Sequence, residues 1–130
     1  MQVTGAPQGV ILRVTAEKLT PGWHGIHLHA KGDCGDAQFK NAGGHITHGD
    51  KAPHGLLNPD GHDSGDLPNL YADAEGNAHA EFYSDFVRLK TAEGDHPALL
   101  DADGSAVVIH EQADDFKTQP IGGAGARVGC

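Results

Sequence analysis

Five of the ten histidines in this 130-residue chain fall into one spaced series, and this series constrains the fold more than any other feature. Its members are His27, His29, His45, His54 and His62, followed by Asp66 and, 44 residues later, by His110. Neutral imidazole is the usual protein ligand of copper and zinc, and three or four donors on separate segments fix the coordination geometry. The series therefore predicts a site for two metal ions and a fold that gathers these segments.

The segment from Trp23 to Ala30 has the period of a β-strand. Ile26 and Leu28 alternate with His27 and His29, so the aliphatic pair faces one side of the strand and the imidazoles face the other. Residues two apart on one face of a strand are separated by about 7 Å. We expect both imidazoles to converge on one ion while the aliphatic side chains fill the core.

The composition favours a single all-β domain over residues 1–130. Nineteen glycines and seven prolines, with 38% hydrophobic and 5% aromatic residues, are typical of short strands joined by turns. Alternating segments predict strands at Gly9–Ala16 and Ser105–His110, and a hairpin that pairs Asn69–Ala72 with Ala78–Tyr83. No period is sustained from Gly32 to Leu67, so metal ligands or a disulfide must organise this long loop.

The net charge of -9 makes nucleic acid and anionic membrane surfaces poor partners. No apolar run approaches the length of a membrane span, and Met1-Gln2-Val3 lacks the pattern of a secretory leader. An anionic small molecule would need a local positive charge to approach this protein.

The two cysteines, Cys34 and Cys130, lie far apart and form no C-x-x-C pair. This spacing favours a long-range disulfide, with two unrelated buried thiols as the alternative. A disulfide is typical of a secreted or periplasmic protein, and we expect one of these locations.

Eight short motifs carry a resemblance to a known family. They are Trp23-His24-Gly25-Ile26-His27-Leu28-His29, Gly32-Asp33-Cys34, Ala42-Gly43-Gly44-His45, Pro53-His54-Gly55, Gly65-Asp66-Leu67-Pro68-Asn69, Val108-Ile109-His110-Glu111, Ala113-Asp114-Asp115 and Gly125-Ala126-Arg127-Val128-Gly129-Cys130. In this order they resemble the bacterial branch of the copper,zinc superoxide dismutase family over nearly the whole chain. The resemblance implies a Greek-key β-barrel or sandwich with the metal loops outside it.

The resemblance also implies roles for the site residues. Copper would be held by His27, His29, His45 and His110, and zinc by His45 as a shared imidazolate, with His54, Asp66 and a third residue near position 62. Asp114 would orient one copper ligand and one zinc ligand without binding either metal. Arg127 would dock superoxide beside the copper, and Cys34 would be bonded to Cys130.

The third zinc ligand departs from the family pattern. Three residues separate His62 from Asp66, where two are usual. We expect His62 as the ligand, with Asp63 as the alternative and a weakened or empty zinc site as a further possibility. His48, which follows His45 closely, is a competing imidazole, and Ile121 stands where the family often has threonine, so the substrate channel should be more apolar.

Compared with the family, the chain begins after one strand and most of a second, and it stops before the end of the last strand. We therefore expect a barrel that lacks its first strand or strands and the end of its last strand. Such a barrel would leave unpaired edges, and we expect a homo-oligomer to cover them.

The resemblance implies an enzyme that disproportionates superoxide at a redox-cycling copper next to zinc. The alternative is a non-catalytic copper- or zinc-binding module, a buffer or carrier, on the same fold. A chain without Arg127 or without one of the copper ligands would favour that alternative, and this chain has all of them.

Overall fold

Eight β-strands account for most of the regular structure in the computed structural model, which describes residues 1–49 and 52–130. They are β1 (Gln2–Ala6), β2 (Gly9–Ala16), β3 (Gly22–His24), β4 (Ile26–His29), β5 (Leu70–Ala72), β6 (Ala78–Ser84), β7 (Ala106–His110) and β8 (Arg127–Gly129). The one helical element among the described residues is a single 3₁₀ turn at Lys40–Ala42. The prediction of an all-β fold is confirmed.

The strands form three antiparallel sheets, in the orders β1-β2-β6, β3-β5 and β4-β7-β8. Several neighbours are distant in sequence, which is typical of Greek-key connections. The predicted hairpin is wrong in its pairing. A tight turn does join β5 to β6, with the Asp73 nitrogen donating to the Asn77 oxygen over 2.9 Å, but β5 pairs with β3 and β6 with β2.

β2 supplies one wall of the hydrophobic core. Val10, Leu12 and Val14 are buried while Arg13 and Thr15 are exposed, as the alternation predicts. The buried side chains join a single cluster that includes Ile26 and Leu28 of β4. Each fully buried aliphatic side chain of this kind contributes about 1.5–3 kcal/mol to stability.

The predicted strand from Trp23 to Ala30 divides at Gly25. The Gly25 nitrogen donates to the Gln112 oxygen over 2.7 Å, and the Gly25 oxygen accepts from the His110 nitrogen over 2.8 Å. The chain thus leaves the β3-β5 sheet and enters the β4-β7-β8 sheet at this point. All four residues of β4 are buried, since Ile26 and Leu28 face the core while the two histidines face the loops on the outside.

The described residues of the loop from Gly32 to Leu67 contain little regular structure beyond the 3₁₀ turn. A disulfide joins Cys34 in this loop to Cys130 just after β8, with the two Cα atoms 5.8 Å apart, so the predicted bond is confirmed. Within the described residues, no helix has both the length and the apolar character needed to cross a membrane.

Candidate metal centre

Two groups of side chains meet on the outer side of β4, and each could hold a metal ion. The first contains His27, His29, His45 and His110, and the second contains His45, His54, Asp63 and Asp66. In each group the potential ligand atoms all lie within 4.8 Å of one another. The ring of His45 belongs to both groups, one nitrogen to each.

The first group is assembled by strands and one isolated bridge. His27 and His29 project from the same face of β4, and His110 lies at the end of β7, which pairs with β4. A β-bridge between His29 and His45 brings the fourth ring into place. The His45 ring centroid lies 4.2 Å from that of His27 and 5.0 Å from that of His29.

A hydrogen bond on one ring nitrogen fixes the orientation of three of these rings. His29 donates from Nδ1 to the Gly43 oxygen over 2.9 Å, and His110 donates from Nδ1 to the Gly125 oxygen over 3.1 Å. His27 instead donates from Nε2 to Asp114 over 2.8 Å. The opposite nitrogen of each ring therefore carries a lone pair directed at the group's centre.

The second group combines imidazoles with two buried carboxylates. His45 Nδ1 lies 2.8 Å from Asp63 Oδ2, and His54 Nδ1 lies 2.6 Å from Asp66 Oδ1. The other oxygen of Asp66 accepts from the backbone nitrogens of Gly55 and Asp63, which leaves Oδ1 for the group. Gly65 lets this segment lie against β4, because a Cβ at that position would collide with the Leu28 oxygen.

The structure does not bring His62 into this group. Its Nδ1 lies 2.9 Å from the Asp63 oxygen, and its ring stacks on Phe86 with the centroids 3.8 Å apart. Asp63, which the sequence offered as the alternative third zinc ligand, lies in the group in place of His62. A turn explains the difference: Asp63 Oδ1 accepts from the Gly65 nitrogen over 2.9 Å, so the carboxylate points inward and the His62 ring points away.

Asp114 connects the two groups, and it also lies in a third set of possible ligands with His27, His54 and Asp66. Its Oδ2 accepts from His27, and its Oδ1 accepts from His54 Nε2 over 3.1 Å and from the Phe116 nitrogen over 2.6 Å. Both oxygens are thus occupied. Gly122, with φ of 61°, closes over this carboxylate, and any side chain there would collide with it. The geometry agrees with the orienting role that the resemblance implied.

Six buried side-chain atoms among the described residues lack a well-formed hydrogen bond, although His54 Nδ1 and Asp66 Oδ1 form an ion pair with each other over 2.6 Å, and all six belong to these groups. They are His27 Nδ1, His29 Nε2, His45 Nε2, His54 Nδ1, Asp66 Oδ1 and His110 Nε2. A buried polar atom without a partner costs about 1–3 kcal/mol. Bound metal ions would satisfy every one of them, so the residues present fit a copper site of four nitrogens and a zinc site of nitrogen and carboxylate donors.

The pKa values keep the first group in the form that binds metal. Burial lowers the pKa of His29 to about 3 and that of His110 to about 4, and the positive charge of Arg127 nearby lowers both further. Burial also lowers the pKa of His27. These rings are therefore neutral at physiological pH, with lone pairs free for a metal.

The second group is strongly negative. Burial alone would lower the pKa of His54, but the carboxylates of Asp114, Asp63 and Asp66 outweigh it and raise that pKa to about 11. Burial alone would raise the pKa of Asp63. The hydrogen bonds from His45 and His54 outweigh burial, so the pKa of Asp63 lies below its ordinary value. This negative potential favours a cation in the group.

A cavity of about 450 Å³ opens onto the first group. His110, Ile121 and Arg127 line it, together with Lys40 from the 3₁₀ turn. Arg127 is held in place because its guanidinium donates to the backbone oxygens of Phe39 and Gly43. Sequence reasoning missed Lys40, since a single lysine in an aperiodic loop carries no signal of its position.

Gln119 is a second residue that sequence reasoning missed. Its side chain accepts from the His54 nitrogen over 2.8 Å and donates to the His54 oxygen over 2.7 Å. This amide pairs with the backbone of His54 as a neighbouring strand would. Gln119 thereby fixes the loop that carries His54, although the two residues are 65 positions apart in the sequence.

An all-β domain with two adjoining groups of ligands that share one imidazole defines a protein with a paired metal centre. Comparison with known proteins identifies the family. The model of the family described as "Copper/zinc superoxide dismutase (SODC)" matches residues 1–130. The chain belongs to the copper/zinc superoxide dismutase family, which is a family of oxidoreductases and implies copper and zinc as cofactors.

Comparison with individual relatives supports the same family assignment. The chain is 61% identical over 128 residues to a "Superoxide dismutase [Cu-Zn]" of Caulobacter vibrioides, which covers 98% of this chain and 73% of that protein. A superoxide dismutase-like protein from Bacillus subtilis has a similar solved structure, with a TM-score of 0.87, 39% identity and coverage of 96% and 82% of the two chains. The copper/zinc superoxide dismutase of Brucella abortus has a TM-score of 0.71 at 32% identity, covering 96% and 80%.

Proposed function

We propose that this chain disproportionates superoxide at a copper ion bound beside a zinc ion. Two superoxide anions and two protons yield one molecule of oxygen and one of hydrogen peroxide. The observation that carries the proposal is the set of four buried, unpartnered nitrogens in the histidine group, next to a mixed group in which His54 and Asp66 lie within an ion pair of 2.6 Å. The relatives' names support the same activity.

We assign the ligands from the ring nitrogens and carboxylate oxygens that face the centre of each group. Copper would be held by Nδ1 of His27 and by Nε2 of His29, His45 and His110. Zinc would be held by Nδ1 of His45 and His54 and by the carboxylates of Asp63 and Asp66. When bound, copper supplies a one-electron redox couple and zinc a positive charge on the far side of the shared imidazole.

Asp114 and the backbone oxygens of Gly43 and Gly125 orient the ligand rings before any metal arrives. Hydrogen bonds of this kind fix both the tautomer and the direction of the lone pair. Because the rings are already aimed, little ordering remains when the metals bind. This preorganisation also resists distortion when the charge at the centre changes during turnover.

Arg127 supplies the attraction that the rest of the molecule lacks. The chain carries a net charge of -9 and repels an anion at long range. Inside the cavity, the guanidinium lies beside His110, and Lys40 adds a second positive charge. Superoxide would bind against the guanidinium, because arginine offers an anion a planar positive group with several N–H donors.

His45 is the residue best positioned to handle a proton. Its Nε2 faces the histidine group, and its Nδ1 is held by Asp63. Whenever Nε2 is not bound to copper, it would hold a proton and donate it to the reduced oxygen species that leaves as peroxide. Ile121 lines the path beside it and makes this part of the channel apolar.

The test is reconstitution of the metal-free chain with copper alone, with zinc alone and with both metals. We expect superoxide loss at a rate that depends on copper, and no turnover with zinc alone. Turnover by the zinc-only chain, or equal turnover by the metal-free chain, would overturn the proposal. The non-catalytic alternative is not favoured by the comparisons, and it predicts copper binding without turnover.

Three further expectations remain predictions. They are a single domain over residues 1–130, a homo-oligomer and a periplasmic or secreted location. The disulfide between Cys34 and Cys130 supports an oxidising compartment. The expectation of no nucleic-acid or membrane partner rests on the net charge and also remains a prediction.

A further inference from the structure

Three histidines outside the two metal groups line one surface pocket. They are His48, His62 and His96, all half-buried, and the pocket has a volume of about 290 Å³. Ser64, Asp85, Phe86 and Asp95 complete its lining. The two other histidines outside the groups have different surroundings: His24 is buried against backbone oxygens and His79 is exposed on β6.

The rings of His48 and His62 are already oriented. His48 Nδ1 lies 3.0 Å from Ser64 Oγ, and His62 Nδ1 lies 2.9 Å from the Asp63 oxygen. The His62 ring is also stacked on Phe86, with an interplanar angle of 25°. In each ring one nitrogen is fixed by a hydrogen bond and Nε2 remains for a ligand, which is the arrangement found in metal-binding histidines.

The spacing of the two rings matches that of the histidine group described above. The centroids of His48 and His62 are 5.8 Å apart. Within the copper group the corresponding distances run from 4.2 Å for His27 and His45 to 6.1 Å for His29 and His110. Two imidazoles at this separation can reach one ion.

The charge of the pocket favours a cation. Its lining, within the part of the chain that the structure describes, includes the exposed carboxylates of Asp85 and Asp95 and no lysine or arginine. Arg88 lines an adjoining cavity, but its guanidinium is paired with Glu93 over 3.0 Å. A divalent cation would therefore enter a negative, imidazole-lined recess.

We propose that this pocket is a third metal site, which binds a divalent transition-metal ion through His48, His62 and His96, with carboxylate support from Asp85 or Asp95. Imidazole donors bind Cu²⁺ more tightly than Zn²⁺ or the other divalent ions of the first transition row. No three of these donor atoms lie within 4.8 Å of one another, as they do in the buried groups, so side chains on the pocket wall must turn toward the ion when it binds. The site does not depend on the proposed function.

The test uses the full chain, first loaded with one copper and one zinc and then titrated with further Cu²⁺. Equilibrium dialysis counts the bound metal, and electron paramagnetic resonance reports nitrogen ligation of the added copper. We expect one further equivalent to bind with a nitrogen-ligated spectrum distinct from that of the first copper. The double variant His48→Gln/His96→Gln should bind it at least about tenfold more weakly.

The control is His79→Gln, which removes an exposed imidazole from β6 outside the pocket. It should bind the third equivalent as the unaltered chain does. The single variant His96→Gln serves if the double variant does not fold. Absence of a third equivalent in the unaltered chain, or its full retention in the folded variants, would overturn the proposal. Superoxide turnover, measured on the same samples, is scored separately, so failure of either proposal is distinguishable from failure of the other.

Discussion

The guanidinium of Arg127 donates a hydrogen bond to the backbone oxygen of Gly43 over 2.6 Å. The same oxygen accepts a hydrogen bond from His29 Nδ1 over 2.9 Å. One carbonyl group thus fixes both the charge that would attract superoxide and a ring that would hold copper. The position of the substrate and that of the metal are coupled through a single peptide unit.

Replacing Arg127 with alanine should reduce turnover without removing copper. Electrostatic steering into a charged cleft changes association rates by about 10- to 1,000-fold, a range for which superoxide dismutases themselves serve as an example. We expect a loss of about tenfold or more in superoxide turnover, measured as the initial rate of superoxide decay, and a weaker dependence of that rate on salt.

Arg13→Ala is the matched control, because Arg13 is an exposed arginine on β2 that pairs with Glu81. It changes the net charge equally but lies far from the cavity lining. If Arg13→Ala reduced turnover as much as Arg127→Ala, net charge and not a docked anion would explain the effect.

Substitutions at two adjacent residues should have opposite effects on zinc binding by the group of His45, His54, Asp63 and Asp66. Asp63→Ala removes the carboxylate 2.8 Å from His45, and we expect zinc affinity to fall by about 100-fold or more. His62→Ala removes a ring that faces Phe86, and zinc at the buried group should be retained. Competition with a chromophoric chelator measures both affinities. The reverse result would restore His62 as the ligand.

Gln119→Ala should weaken the zinc loop from a distance. The substitution removes two hydrogen bonds to the His54 backbone, and because the glutamine is exposed we expect the free energy of unfolding of the metal-free chain to fall by about 1 kcal/mol. Zinc affinity should fall by about tenfold while copper affinity changes little, since His54 is not a member of the group formed by four histidines.

Chemical denaturation and chelator competition measure these two effects. Gln112→Ala is the control, because Gln112 is also an exposed glutamine in the segment that follows β7. A Gln119→Ala chain with unchanged zinc affinity would show that the amide stabilises the loop without positioning His54.

The disulfide should stabilise the fold by restricting the unfolded chain. Cys34 and Cys130 are 96 residues apart, and a disulfide that closes so long a loop stabilises a fold by about 4–5 kcal/mol when the effect comes from the entropy of the unfolded chain. We expect the Cys34→Ser/Cys130→Ser variant to lose that amount of free energy of unfolding in denaturant titrations of the metal-free protein. Equal midpoints for the variant and the oxidised chain would contradict this expectation.

Local alternation of apolar and polar residues predicted some of the strands. The bounds of β2 and the two faces of β4 could be read from the alternation of Val10, Leu12 and Val14 and of His27 and His29. Alternation did not mark β1 or β8, because neither has a sustained pattern of buried and exposed residues, and only the family resemblance implied strand segments at the two ends of the chain. The partner of β5 could not be predicted, since the adjacent turn favours β6 while the sheet places β3 beside it.

Part of the candidate site could likewise be predicted from the sequence, and part of it could not. Residue types and ordered motifs predicted most of the side chains that the structure gathers in the two groups, but spacing left the choice between His62 and Asp63 open. One signal did favour Asp63, because Ser64 and Gly65 give it the usual two-residue separation from Asp66. Lys40 and Gln119 act through contacts across the fold, with partners that no sequence period marks.

The most direct test of the account is the rate of superoxide decay with the chain loaded with copper and zinc, compared with the same concentration of free copper and with His45→Ala. Metal content is measured on each sample. We predict that the loaded chain exceeds free copper and that most of the excess is lost in His45→Ala. Full copper occupancy with turnover no faster than that of the free ion would contradict the account.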